Sequence, residues 1–481
     1  MTLDLAPSTT EVDRQPQWHR AFDNIAHEHG FEPLRVEGRI PDDLRGGTVY
    51  RNGPGTFSRG GVRIAHMFDG DGVIAATRFT GHGAEGAVRF VRTKWRDREE
   101  KAHRWLHGGY KQPFHRPIRD ILLGGGKNTA NTGVLSYQGR LFALCEAGKP
   151  FELDPEHLTT LGEEDFGVNV QTFNAHPKRI ASRRATYSIG LRLGRTHHLD
   201  VWELPDVGKP RRLTTFPAGQ VGMVHDFALT ERHIVLFLPP QRLRLSSMLF
   251  GQRGIVDAIE WDSRAGTEIV TIPLDAPHEL RRFHTESFYM EHVANAYEEK
   301  GEIVIDFTRF ENLASFENLV QPLVHLRVGE PMSMSLSRMK LSASQRTATY
   351  ETLLEEACEL PHTSSAVRGR RHTVSYVAGQ PDQDHPYDVF SATLKIDHAT
   401  NTIERFSFGQ GSISGEPIFV PRNGAEREDD GYLLVLVFDP TADVSYEAVF
   451  DARRLSDGPI ARAYHQQPIP PRFHGAWTRA A

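Results

Sequence analysis

From about residue 38 onward, short runs of β-branched and aromatic residues alternate with breaks rich in glycine, proline, asparagine and aspartate. The runs are short, β-rich and bounded by turn residues, which marks strands rather than helices. Residues 133–155, GVLSYQGRLFALCEAGKPFELDP, show the unit: strand, QGR turn, strand, GKP turn, strand. HDFALTERHIVLFLP, AYEEKGEIVIDFTRF, LKIDHATNTIERFSFG and DDGYLLVLVFDP repeat the theme. This pattern predicts an all-β molecule of successive antiparallel sheets. Two architectures accommodate it, a β-propeller with inner strands around a central channel and a pair of β-sandwiches. Residues 1–35 read as a polar N-terminal arm with a short helix near 13–29. Residues 36–481 read as a single domain, because no linker divides them. Two stretches break the strand rhythm, 103–126 and 239–254, and are expected to form a helical or loop cap on one face.

Composition changes this picture in three places. The 42 glycines and 29 prolines supply the many turns. A formal net charge of -6, with charged residues at 25%, argues against a nucleic-acid partner. Only two cysteines occur, Cys145 and Cys358, with no CxxC pair. A disulfide framework is therefore not expected, and a reducing cytoplasm fits. The first residues, MTLDLAPSTTEVDRQPQW, lack the apolar core of a signal peptide. No run approaches the ~20 apolar residues of a membrane span. The expectation is a soluble, cytoplasmic protein that at most touches a bilayer.

Histidine carries the candidate chemistry. His176 lies in FNAHPK, His225 in GMVHDFALT, His292 in EHVANAYEE and His474 in RFHGAW, each in a strand-like segment. Imidazoles drawn together from such distant segments suit a ring-shaped scaffold closing on one ion. Four neutral imidazoles leave the full charge on a divalent metal and, in an octahedron, two positions open. A structural zinc site is closed and usually holds thiolate, so an open site points to iron and O2. Metal-bound imidazoles usually donate their other N–H to a carboxylate or carbonyl. Glu146, Glu359 and Glu416 fit that role, because each sits in an apolar stretch where an isolated charge is costly. Cys145 and Cys358 directly precede two of them and, on a strand, point to the opposite face as packed thiols. Residue chemistry alone does not choose four of the 24 histidines; His66, His233, His284 and His362 are rivals.

Two glycine-rich motifs invite other readings. RNGPG lacks the Lys-Ser/Thr ending and the following helix of a P-loop. FDGDG lacks the ligand series and terminal glutamate of an EF-hand. Both are expected to be tight turns between sheets.

The motifs GRIPDDLRGGTVYRNGPGTF (38–57), HMFDGDGVIAATRF (66–79) and KNTANTGV (127–134), then NAHPK, MVHDFALT, HVANAYEE, CELP, GEPIFVPR and FHGAW, follow one another along almost the whole chain. In this order the sequence resembles the carotenoid cleavage oxygenases, which include apocarotenoid oxygenases, stilbene-cleaving dioxygenases and a retinoid isomerase. The resemblance implies a seven-bladed β-propeller with Fe(II) on its axis. Seven blades over about 440 residues means roughly 60 per blade, longer than the ~40–45 of the commonest propeller repeat, so insertions are expected. His176, His225, His292 and His474 match the family's ligand positions, and Glu146, Glu359 and Glu416 match the glutamates behind them. His292 is preferred to His284 because the pattern His-x-x-Asn-Ala-aromatic-Glu falls at 292–298. Glu291 departs from the apolar or aromatic residue more usual at its position.

The implied reaction inserts O2 across an electron-rich C=C bond and yields two carbonyl products. A carotenoid or apocarotenoid is the first substrate class, and a stilbenoid or related phenylpropanoid is the alternative. Stilbene-cleaving members typically carry a lysine just before the first glutamate, where this chain has Cys145, and a nearby tyrosine, for which Tyr110 is the candidate. A propeller that binds ligands without chemistry is a third reading. QRLRLSSMLFG (241–251), with Met248, Leu249 and Phe250, is a candidate interfacial element beside a substrate entry, and residues 104–123 are its candidate neighbour.

Overall fold

The computed structural model describes residues 15–113, 126–146, 148–219, 221–244, 246–247, 253–329, 334–342, 346–382 and 388–479. Seven antiparallel sheets of four to six strands form the seven blades of a β-propeller. The second blade is built as the sequence predicts, from Gly133–Tyr137, Arg140–Leu144 and Phe151–Leu153, followed by Thr160–Glu163. Its first turn places Gln138 and Gly139 at φ 50° and 74°, the left-handed pair that a two-residue hairpin turn needs. Lys300 and Gly301 repeat this at φ 51° and 83° between Tyr289–Glu299 and Glu302–Phe310.

Each sheet is apolar on both faces because it is sandwiched between neighbours. The cores lie between blades. Tyr187, Leu199 and Val201 of the third blade pack on Ile234, Val270 and Ile272 of the fourth. Val235 and Ile269 on the other face of the fourth meet Ile303, Ile305 and Phe307 of the fifth. Cys358 is fully buried with Leu336, Val377 and Leu394 between the fifth and sixth blades, the packed thiol expected of it.

The ring is closed twice. Gly475–Arg479, the last strand, forms the innermost strand of the first blade, pairing Val49 with Trp477 and Arg51 with Gly475. Arg35–Gly38, among the first, forms the outermost strand of the seventh blade, pairing Val36 with Ala463. Sequence periodicity carries no sign of this exchange, which brings each end of the chain into the other's sheet.

Three expectations are corrected. Instead of a helix over 13–29 there is a 3-10 helix, Gln17–Phe22, and strand begins at His29. Just past that helix, Asn24 Oδ1 accepts from the N–H groups of Phe57 and Ser58 at 2.7 and 2.9 Å and Ile25 N–H donates to the Gly55 carbonyl at 2.9 Å, so this segment bonds to a distant one rather than along a helix. RNGP is not a turn but lies within the buried strand Gly47–Pro54, where Arg51 pairs with Glu447 at 2.7 Å. FDGDG is an anchor rather than a simple turn. Asp69 accepts from the backbone N–H groups of Tyr110, Lys111 and Gln112 at 2.7 to 3.0 Å. Asp71 lies 2.7 Å from Arg59 and 2.6 Å from Lys127. Among the described residues no helix is long and apolar enough to cross a membrane.

Candidate metal centre

The innermost strands converge on the axis, and four of them deliver an imidazole. Only His292 lies within its strand, Tyr289–Glu299. His176, His225 and His474 sit in the turns leading into Lys178–Ile180, Ala228–Leu229 and Gly475–Arg479, which corrects the expectation that all four are in strands. Near the axis the regular ladder gives way to individual bonds. His474 N–H donates to the Thr132 carbonyl at 3.1 Å, and Asn52 N–H donates to the His474 carbonyl at 2.9 Å. Asn174 accepts from His176 N–H at 2.7 Å and donates to the His225 carbonyl at 2.5 Å, so one side chain positions two turns.

The four rings face one another through Nε2. His176 and His225 are 2.9 Å apart, His225 and His292 3.2 Å, and His292 and His474 3.0 Å. All four ligating nitrogens lie within 4.8 Å of one another. Ligands about 2.1 Å from a metal on adjacent octahedral vertices are about 3.0 Å apart, so the spacing suits a transition-metal ion.

Behind three rings stands a carboxylate. His225 Nδ1 is 3.0 Å from Glu146 Oε1, and His474 Nδ1 is 3.1 Å from Glu416 Oε1. His292 Nδ1 is bonded to Glu359 Oε2, which also accepts from Leu360 N–H at 2.6 Å. Leu360 takes φ 56° to make that second contact, a left-handed backbone at a register shift between Glu359 and His362. No carboxylate pairs with the His176 ring among the described residues. With Nδ1–H given to a carboxylate, the Nε2 atoms of His225, His292 and His474 are left to offer lone pairs to a metal ion. Lone pairs converging at about 3 Å repel unless a cation lies between them, so the donor set fits a metal ion.

The surrounding charges agree. Burial, together with the neighbouring rings of His474 and His225, holds His176 and His292 well below the usual imidazole range. Burial also opposes a charge on His225, but Glu291 and Glu146 overcome it and raise that ring to about 10. Glu416 is lowered to about 2, since His474 outweighs the burial that would raise it. Burial pushes Glu359 up to about 7 and Glu291 up to about 8. The axis thus favours one positive charge among the imidazoles. A cavity of about 120 Å³ is lined by His176, His292 and His474 together with Lys178, Asp226 and Arg368.

The rival histidines are elsewhere. His66 is buried against Phe68 and Tyr110 with Nε2 3.8 Å from Glu317. His233 pairs with Glu298 at 2.9 Å, and His284 is an exposed strand residue opposite Glu268. His362 comes nearest, lining the cavity with the ligand set. Tyr110 donates to Glu317 Oε1 at 2.6 Å within a wall that includes Phe68, Tyr289, Phe310 and Phe316. Met248, Leu249 and Phe250 lie outside the described residues. Sequence reasoning missed Glu317, Tyr289 and Asp69. The only sequence signal among them is that Asp69 lies in FDGDG.

Fold and site together define a β-propeller whose axis gathers four imidazoles within reach of a single metal ion. The chain belongs to the family described as retinal pigment epithelial membrane protein, the carotenoid cleavage oxygenase family, whose model matches residues 22–479. It is 30% identical to apocarotenoid-15,15'-oxygenase of Synechocystis over 98% of each chain. It is 28% identical to lignostilbene-alpha,beta-dioxygenase isozyme III of Sphingomonas paucimobilis, covering 93% of this chain and 94% of that one. A solved structure of cobalt-substituted Synechocystis ACO superposes with a TM-score of 0.86 at 29% identity, over 96% of this chain and 98% of that one.

Proposed function

We propose that this chain is a non-haem Fe(II) dioxygenase that cleaves one C=C bond of a carotenoid or apocarotenoid. One O2 adds its two atoms across the bond, so that R–CH=CH–R′ and O2 become R–CHO and R′–CHO. The observation that carries this reading is the convergence of the His176, His225, His292 and His474 rings through Nε2, three of them backed by Glu146, Glu359 and Glu416. Fe(II) bound there supplies a redox-active, divalent centre for O2 chemistry. The protein's own groups orient the imidazoles, keep the axis dry and present apolar surface. Phe68, Tyr289, Phe310 and Phe316 form a packed aromatic cluster that includes the first residue of the strand carrying His292, apolar surroundings that suit a polyene. The similarity to an apocarotenoid oxygenase along nearly the full length supports the substrate class.

A stilbenoid is the second reading, favoured by one contact. Tyr110 and Glu317 make a buried polar pair, 2.6 Å apart, that can meet a phenolic hydroxyl. Cys145 stands where the lysine of stilbene-cleaving members is expected, and its thiol is 3.4 Å from the Thr129 hydroxyl. Contact with a membrane through residues 241–251 belongs to the polyene reading, because such substrates partition into bilayers. Incubating iron-loaded protein under 18O2 with β-apocarotenals and, separately, with resveratrol-like stilbenes decides among these readings. The expected result is two labelled carbonyl fragments from the apocarotenal. Fragments from the stilbene alone would select the second reading, and intact substrate in both incubations would leave a binding propeller.

A further inference from the structure

The strand Tyr289–Glu299 breaks register beside the metal centre. Met290 is opposite Arg309 and Val293 is opposite Phe307, so Glu291 and His292 share Thr308 as their single counterpart. In a regular strand, neighbouring side chains point to opposite faces. A bulge of this kind re-aims one of them. Here both are directed to the axis: His292 Nε2 lies 3.2 Å from His225 Nε2, and Glu291 Oε1 lies 3.4 Å from the same atom.

Glu291 is 1% exposed. Its Oε2 accepts from the Tyr289 hydroxyl at 2.5 Å, which leaves Oε1 as the oxygen turned toward the imidazoles. Among the described residues, no lysine or arginine pairs with it. A buried carboxylate is costly unless a positive charge faces it, and the one group that can carry such a charge within reach of Oε1 among the described residues is the His225 ring, which a metal ion bound at the axis would displace from that role. The 3.4 Å separation is close to the about 3.0 Å between adjacent octahedral vertices, and only slightly beyond the 2.9 to 3.2 Å that separates the imidazole nitrogens themselves.

We propose that Glu291 is a fifth protein ligand to the axial metal, bound through Oε1, with Tyr289 holding Oε2 as its positioning residue. The inference rests on the metal-centre reading above. It leaves one octahedral position, rather than two, for a small external ligand. It also makes the ligand set anionic, favouring a divalent ion over a monovalent one.

Co(II) titration of the metal-free protein tests this without turnover. The visible ligand-field spectrum and the dissociation constant are read for the wild type and for Glu291→Gln, Glu291→Leu and Tyr289→Phe, with circular dichroism to establish folding. Glu291→Gln and Glu291→Leu are expected to shift the Co(II) bands and weaken binding by roughly tenfold or more, and Tyr289→Phe by less. Superimposable wild-type and Glu291→Gln spectra would overturn the proposal, whatever the affinity. If the Glu291 variants do not fold, a crystal structure of the Co(II)-loaded wild type decides. An Oε1–Co distance near the ~2.1 Å of a ligand bond supports the assignment, and one beyond about 3 Å overturns it. A wild-type protein that takes up no Co(II) would overturn the metal centre itself, whereas uptake with Glu291 unbound removes only this fifth ligand.

Discussion

Two clusters in this molecule bring metal-ligating side chains within 4.8 Å of one another, the four axial histidines and the group Asp306, His372 and His398. By residue type and distance they look alike. Their electrostatics differ. Asp306 is gripped by Arg338, whose Nε and Nη2 each donate at 2.7 Å, and His372 Nε2 stands 2.9 Å from the same carboxylate. His398 is occupied with Ser375 at 2.9 Å. A fixed cation is therefore already present, and it holds the Asp306 carboxyl down to about 2 against the burial that would raise it. On the axis Glu146, Glu359 and Glu416 stand behind the imidazoles, Glu291 faces them, and among the described residues no arginine or lysine pairs with the rings. Ligand-type residues within reach do not make a metal site. A cluster that still wants a positive charge does.

Three perturbations would break or sharpen this contrast. The largest effect is expected from His225→Ala, since His225 Nε2 faces His176 at 2.9 Å and its Nδ1 is backed by Glu146 at 3.0 Å. Wild-type protein should bind one equivalent of Fe(II) or Co(II) and the variant none, as read by metal analysis after desalting. One equivalent retained in the variant, or two in the wild type, would erase the distinction between the clusters. Next, Arg338→Met should leave Asp306 buried with only His372 beside it. The expected cost is about 3 kcal/mol of stability in denaturant unfolding, at the low end for a broken buried pair because His372 remains. Axial metal affinity should not change. An unaltered unfolding midpoint would mean that the second cluster does not depend on its cation. The smallest effect is that of Glu146→Gln, which keeps the shape but removes the charge behind His225. Metal affinity should fall by about 10- to 100-fold in a competitive chelator titration. No change in affinity would show that the carboxylate does not tune the ring.

Local pattern made much of the fold legible. The hairpins over 133–153 and 289–310 follow from alternation and a Gly-containing turn. The grouping of the four histidines followed from motifs rather than from chemistry, which by itself left His66 and His362 in contention. Features set by distant partners were not readable. Nothing in the composition of residues 35–38 announces that they pair with 461–464. The short helix was misread because the residues after it bond to the distant segment 55–58 instead of to one another. Glu291 was visible as an odd residue in its motif. Its aim at the axis depends on a one-residue bulge that only the pairing with Glu302–Phe310 defines.

The double closure of the ring also imposes an order in time. His474 trails His292 by 182 residues and enters with the strand that seals the first blade. A chain emerging from the ribosome therefore exposes three imidazoles long before the fourth, and Glu416 arrives late as well. The complete cage cannot exist until synthesis has passed the last blade and the two ends have exchanged strands. The four-imidazole cage is thus complete only once the last strand is made, and a product truncated before residue 474 loses an imidazole and the seal of the ring together.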